Sequence, residues 1–335
     1  MRSAKQIFKK LLFIGAASVC AFLLVNLLLL PYYHYTPGIP MDANATKEIY
    51  YPGTGFNTLG EGYRIGRFDK NGYLNEVSED ELENYVLIMG SSHAMGKEVP
   101  GGHSFGELLN DEYGIPTYNI AMDGHFFTDN VAGFSAALEQ FQRSDAVVIE
   151  TSLTKFDLDE LKGCLNQRAY DENSTGPAIV EGMGKVARVK SILKTWFPFR
   201  ILLTQKINAL KATTRECNTG TYDQYKAAVD DVMKLIKQQY DKPVIILYHP
   251  TVTVDKEGRA SALADDEETK RAFTEACAEN GIVFADMSDM FLEEYESEHM
   301  LPHGFMNTSP GTGHLNRTGH RLIAARLAEI IGTGK

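Results

Sequence analysis

The sequence is poor in cysteine, has a single tryptophan and shows no internal repeat or low-complexity tract. Four cysteines in 335 residues cannot staple a disulfide-rich scaffold, and with 44% apolar side chains the chain can build a core without one. Cys20 lies in an apolar run and Cys277 in a helical pattern, whereas Cys164 and Cys217 bracket a long insertion. Outside the cytoplasm those last two can pair as a structural disulfide. Histidine spacing leads us to expect no zinc site, so no metal-ligating residue is named. No phosphate-binding glycine loop is evident, so no nucleotide or other cofactor is expected.

Acidic residues are missing from one end. The first 35 residues hold Arg2, Lys5, Lys9 and Lys10 and no acid, which leaves 29 basic against 44 acidic side chains in the other 300. An acidic body excludes nucleic acid as a general partner. Leu11 to Leu30 carries no charge, and about 20 apolar residues is the length that crosses a bilayer as a helix. Lysines precede this run and Pro31-Tyr32-Tyr33-His34-Tyr35 follows it, so the positive-inside rule and the interfacial aromatics put residues 1–10 in the cytoplasm and residues 36–335 outside. A cleaved signal peptide fits less well, because the run exceeds an apolar signal core and no small-x-small site follows. The expectation is a single-pass cell-membrane protein with an uncleaved anchor over 11–30.

Residues 31–84 are rich in turn signals, such as Pro52-Gly53 and Asn71-Gly72, with short strand-like pieces such as Tyr63-Arg64-Ile65, and read as a stalk or hairpin packed on the domain that follows. Tyr85-Val86-Leu87-Ile88-Met89 then forms an unbroken apolar run ending at Gly90-Ser91-Ser92-His93, the pattern of a buried parallel strand that stops at a functional turn. Beyond it the periodicity alternates. Strands are expected over 116–120, 146–150, 244–248 and 282–285, and helices over 105–112, 129–141, 222–240, 266–279 and 318–331. This alternation specifies one three-layer α/β domain over 85–335, with a parallel sheet between two layers of helices.

An insertion at about 161–220 interrupts the alternation. From Lys185 to Arg215 it carries eight basic side chains and no acid, interleaved with Trp196, Phe197 and Phe199. Such a segment suits a bilayer headgroup region, a lid, or a grip on an anionic polymer. A helical hairpin with solvated lysines reads equally well.

Two stretches carry chemistry. A serine at the carboxyl edge of a parallel sheet can serve as a nucleophile or simply cap the next helix. Near the C-terminus, Gly311-Thr312-Gly313-His314-Leu315-Asn316 sets a histidine in a glycine-rich loop before the last helix, where backbone can present it as a general base. Together these stretches resemble the SGNH, or GDSL-like, hydrolase family over roughly 84–333. The resemblance implies a flavodoxin-like fold, Ser92 as nucleophile, His314 as base, and an oxyanion hole made by the N–H groups of Ser92 and Gly124, the latter within Asn119-Ile120-Ala121-Met122-Asp123-Gly124.

Three departures accompany it. The family's aspartate three residues before the histidine is Gly311 here, the aspartate of its first motif is Ser91, and Glu150-Thr151-Ser152-Leu153-Thr154 lacks the asparagine that donates to the oxyanion. Ser91, His93, His125, Ser152, Thr154, His249 and Asn316 are therefore named as supporting or substrate-contacting candidates, and His103, His303 and His320 as surface or capping residues. Membrane-tethered relatives act on acyl groups of envelope polysaccharides, some with a partner membrane acyltransferase. The resemblance thus implies an anchored, outward-facing esterase or O-acyltransferase acting on an acylated glycan or another ester. The alternative is an inactive relative that binds an envelope polymer or a membrane partner.

Overall fold

The computed structural model describes residues 2–29, 38–40, 48–50, 52–53, 55–58, 60–165, 217–263 and 266–333. The aromatic cluster after the apolar run and the basic, tryptophan-containing part of the insertion lie outside them.

Helix α1 (Arg2–Leu29) contains Lys5–Leu28, a stretch with mean hydropathy 2.5 that is long and apolar enough to cross a membrane. A signal sequence near an N-terminus can also be this long and apolar. Asn26 donates its side-chain amide to the Phe22 carbonyl at 2.8 Å, which satisfies the one strongly polar group of the run inside the helix itself.

Five strands form the central sheet: β5 (Tyr85–Met89), β6 (Thr117–Asn119), β7 (Ser144–Thr151), β8 (Val244–Tyr248) and β11 (Val283–Asp286). All pairings are parallel and the spatial order is β11-β8-β7-β5-β6, the doubly wound order expected of a flavodoxin-like fold. Every residue of β5 and β8 is buried, because helices cover both faces, and this is why those strands read as continuous apolar runs. The flanking helices are α3 (Phe105–Asp111), α4 (Phe127–Ala132), α5 (Phe134–Gln140), α6 (Leu158–Leu165), α7 (Tyr222–Gln239), α8 (Glu267–Glu279), α9 (Ser288–Glu298) and α10 (Arg317–Thr333). Capping boxes start two of them, Ser104 with Glu107 at α3 and Thr221 with Gln224 at α7.

The expected single helix over 129–141 is two, broken at Gly133, whose φ of −90° and ψ of 2° leave the helical region. Helix α9 was not expected: of its residues only Ser288 and Phe291 are buried, so its sequence shows little apolar stripe. Nor was the antiparallel hairpin of β9 (Thr251–Val254) and β10 (Ala260–Leu263), whose alternation is short. The Cys164 thiol donates to the Leu161 carbonyl at 3.0 Å, and the disulfide that Cys164 and Cys217 could form is not made. Cys277 is buried in α8, as its helical pattern implied.

Before the sheet, β1 (Gly38–Pro40) pairs with β2 (Glu48–Tyr50), and β3 (Gly55–Thr58) pairs with β4 (Arg64–Arg67), both antiparallel. The β3–β4 hairpin is fastened to the main domain. Phe56 and Phe68 join its core, and the fully buried Arg64 makes a two-pronged ion pair with Glu107 of α3. Burial pushes the Glu107 carboxyl up, but the Arg64 guanidinium and the Ser104 hydrogen bonds outweigh it and leave it below the ordinary glutamate range.

Candidate active site

The strand β5 ends at Gly90, where a Cβ would lie 2.5 Å from Glu150 Oε2 and 2.7 Å from Ala94 Cβ, so this turn can close only on glycine. Glu150, at the end of β7 and 1% exposed, accepts the Ser91 N–H at 2.7 Å and the Ser91 hydroxyl at 2.8 Å. Ser91 Oγ in turn accepts the His93 N–H, capping the short helix α2 (Ser92–Met95). Capping thus falls to Ser91 and leaves Ser92 free to face the site.

Ser92 Oγ lies 2.8 Å from His314 Nε2. The loop that brings the histidine there is locked by backbone. His303 and Leu315 form a β-bridge, the Gly304 N–H donates to the His314 carbonyl, and the Asn316 N–H donates to the Pro302 carbonyl. The Asn316 side chain donates to the carbonyls of Leu301 and Gly304 and accepts from the N–H groups of Thr318 and Gly319, so it ties the loop to the start of α10.

Behind His314 stands Glu61, from the five residues that connect β3 to β4. Its Oε2 accepts the His314 backbone N–H at 2.7 Å and lies 3.0 Å from His314 Nδ1. His314 Nδ1 makes no full hydrogen bond, so this second contact is electrostatic in character. Burial works to raise the Glu61 carboxyl, but its contacts with His314 outweigh that and hold it below the ordinary glutamate range.

A second cluster lies deeper. The His249 ring, 0% exposed, pairs through Nε2 with Glu150 Oε1 at 2.7 Å, and its Nδ1 lies 3.3 Å from His303 Nε2. His93 accepts the Leu315 N–H on Nδ1 and packs with ring centroids 4.8 Å from His249 and 5.0 Å from His314. Desolvation, with the neighbouring histidines adding to it, keeps His93 and His303 neutral by pushing both well below the ordinary histidine range. Burial pushes the Glu150 carboxyl up, but the His249 and Ser91 contacts prevail and keep it low, so one anion is fixed beneath the serine turn.

These positions correct several expectations. His249, named as a supporting or substrate-contacting candidate, is fully buried against Glu150, a supporting place. His303 and His320 are buried, at 4% and 1% exposure, rather than surface groups, although His320 Nδ1 takes the Phe105 N–H at the start of α3, as a capping residue would. Thr154 is fully buried and bonds Thr269, and Thr151 Oγ1 bonds its own loop at Leu153, so neither hydroxyl replaces the missing asparagine. Ser152 and His125 are half-buried nearby. Nitrogens of His93, His249 and His303 lie within 4.8 Å of one another, a grouping that three widely separated stretches create and that could hold a metal ion. Hydrogen bonds to Leu315, Glu150 and each other occupy His93 Nδ1, both nitrogens of His249 and His303 Nε2, while His303 Nδ1 is buried without a partner among the described residues. The sequence does contain one His-x-x-x-His spacing, His299 to His303, but His299 is exposed in a left-handed turn after α9 while His303 is buried, so the two form no helical pair.

Gly124 has a φ of +79° in an exposed turn. Among the described residues, neither its N–H nor that of Ser92 has a protein acceptor. Beyond it, Phe126, Leu153, Lys155, Phe156, Cys164 and Cys217 line a cavity of about 470 Å³.

No protein-family model matches the chain, and no curated protein does. Solved structures with a similar fold include a psychrotrophic esterase from Pseudoalteromonas sp., at 13% identity with 75% of this chain and 97% of that chain covered and a TM-score of 0.38. Another is a catalytic mutant of an acetylxylan esterase from Geobacillus stearothermophilus, at 14% identity, 74% and 94% coverage and a TM-score of 0.39. A third is an α/β hydrolase from a lake metagenome, at 14% identity, 74% and 95% coverage and a TM-score of 0.40. Likenesses of this size carry no argument about the activity of the present chain.

Proposed function

We propose that the protein is a serine esterase or O-acyltransferase in which Ser92 is the nucleophile and His314 the base, anchored by α1 with its catalytic domain outside the cell. The observation that carries this reading is the 2.8 Å contact between Ser92 Oγ and His314 Nε2, made by a serine at the carboxyl edge of a parallel sheet and a histidine clamped by backbone. Oγ would add to the ester carbonyl carbon as its proton passes to Nε2. The oxyanion would rest on the N–H groups of Ser92 and Gly124, which face no protein acceptor. Collapse expels the alcohol, which takes the proton from His314 and leaves an acyl-serine. Water or a sugar hydroxyl then attacks the acyl carbon and gives its proton to Nε2, which passes it to Ser92 Oγ as the bond between Oγ and the acyl carbon breaks.

With water as acceptor the protein is an esterase. With a sugar hydroxyl it is an O-acyltransferase, for which a membrane partner would supply the acyl group. Acetylated envelope glycans are the ester substrates that an outward-facing site would meet. Acetate release from a panel of O-acetylated glycans and from p-nitrophenyl acetate tests the reading, using the full-length protein in detergent. Turnover that Ser92→Ala and His314→Ala each abolish is expected. Turnover retained by folded Ser92→Ala would refute it, and specific glycan binding without turnover would favour the inactive binding alternative.

A further inference from the structure

Resting on this hydrolase reading, we propose that Glu61 is the carboxylate that positions His314, so that the active site is completed by a hairpin lying between the apolar N-terminal helix and the sheet domain rather than by the loop that carries the histidine. Three features of the backbone bear on it.

First, the place where the resembled family has an aspartate cannot hold one here. Gly311 has a φ of +75°, and a Cβ would lie 2.1 Å from the Val252 carbonyl oxygen, so β9 fills the space that a side chain needs. Second, the loop is shaped to admit the hairpin. Gly313 has a φ of +92°, and a Cβ there would lie 2.4 Å from Glu61 Oε2, so the carboxylate occupies volume that only glycine leaves open. Third, the tip of the hairpin is held by its own anchor. The Glu98 carboxylate, 5% exposed, accepts the N–H groups of Glu61 at 3.2 Å and Gly62 at 3.0 Å. The Tyr63 N–H donates to the Glu98 carbonyl, and Asn307 of the histidine loop donates to the Gly60 carbonyl. Gly62 allows this approach, since a Cβ there would lie 1.9 Å from the Glu98 carbonyl oxygen.

Glu61 therefore takes the orienting part of a serine–histidine–acid arrangement. By drawing the proton to Nδ1 it leaves Nε2 able to accept from Ser92, and by holding the His314 N–H it fixes the ring's origin. It touches no reacting atom and is a positioning residue.

The experiment compares full-length wild type, Glu61→Ala, Glu61→Gln and Glu61→Asp in detergent, each checked for an unchanged melt. Three quantities are read: the rate of inactivation by a fluorophosphonate, kcat and KM on p-nitrophenyl acetate, and the ¹⁵N shifts of the His314 ring in selectively labelled protein. Glu61→Ala is expected to slow inactivation and kcat by roughly 10² to 10⁴ with KM nearly unchanged. The wild-type ring should show a protonated Nδ1 and a bare Nε2, and Glu61→Ala a mixed or reversed tautomer. Asp should recover part of the rate. Equal rates and the same tautomer in wild type and Glu61→Ala would overturn the assignment. If folded wild type neither labels nor turns over ester, the hydrolase reading falls, and the ring shifts decide separately whether Glu61 sets the tautomer.

Discussion

Gly313→Ala is expected to act on the active site through Glu61 and almost entirely through it. The glycine's φ of +92° strains an alanine, at a cost of about 1–2 kcal/mol. The new methyl would stand 2.4 Å from Glu61 Oε2, well inside contact distance. Because that atom ends a flexible side chain, the carboxylate swings away instead of the backbone breaking. The loop survives and His314 loses its partner. Inactivation by a fluorophosphonate should slow by roughly 10- to 10³-fold, which at about 1.4 kcal/mol per decade is about 1.4–4 kcal/mol. In a Glu61→Ala background the same substitution has nothing to displace and should change the rate by less than about twofold. The four proteins of this double-mutant cycle can be assayed in detergent by one labelling time course. Gly311→Ala is the control, because its Cβ would meet the backbone oxygen of Val252, which cannot swing aside. It should lower the melting temperature more than Gly313→Ala does, with or without Glu61. Rate effects of Gly313→Ala and Glu61→Ala that simply multiply would refute the claim that the glycine exists to admit the carboxylate.

Arg64→Ala leaves the Glu107 carboxylate buried without its guanidinium and should cost about 3–5 kcal/mol in denaturant titration, while Arg64→Met with Glu107→Leu should recover much of that loss. Glu150→Gln replaces an acceptor of three donors by a group that turns an N–H toward one of them, so stability should fall by about 1–3 kcal/mol and labelling of Ser92 should slow, both measurable on one preparation. His320 is buried, its Nδ1 accepts the Phe105 N–H, and desolvation, with the nearby His249 and Arg64 adding to it, pushes its pKa down to about 3. The unfolded chain therefore takes up this proton first: the stability contribution is complete above pH 6.5 and is lost as pH falls toward 3. His320→Asn, which keeps an acceptor at the same place, should flatten the acid limb of a stability curve between pH 6 and 4.5 by up to about 1.4 kcal/mol per pH unit.

What the sequence discloses and what it conceals divide along contact range. The strands β5 and β8 are legible because burial on both faces removes polar residues from them, and the helices α3, α7 and α8 because caps and an apolar stripe mark them locally. Ser92 and His314 are legible because each sits in a glycine-bounded turn next to a recognisable element. Glu61 is not, since it meets His314 across 253 positions and lies outside the stretch that resembles the hydrolase family. Its one local mark is an acid between two glycines, Gly60-Glu61-Gly62. The cluster of His93, His249 and His303 was missed for the same reason: rules for local spacing cannot see three sheet-edge loops converging. Glu150 offered a clearer signal, an acid directly after the apolar run Ala146-Val147-Val148-Ile149, where the usual outcome is a buried, hydrogen-bonded carboxylate.

The most direct test of the central claim is to treat the full-length protein with a fluorophosphonate and map the adduct by peptide mass spectrometry, alongside His314→Ala. The account expects one adduct, on Ser92, that disappears or forms at least roughly 100-fold more slowly without His314. No adduct on folded protein, an adduct on another serine, or labelling of Ser92 at the same rate in His314→Ala would contradict it.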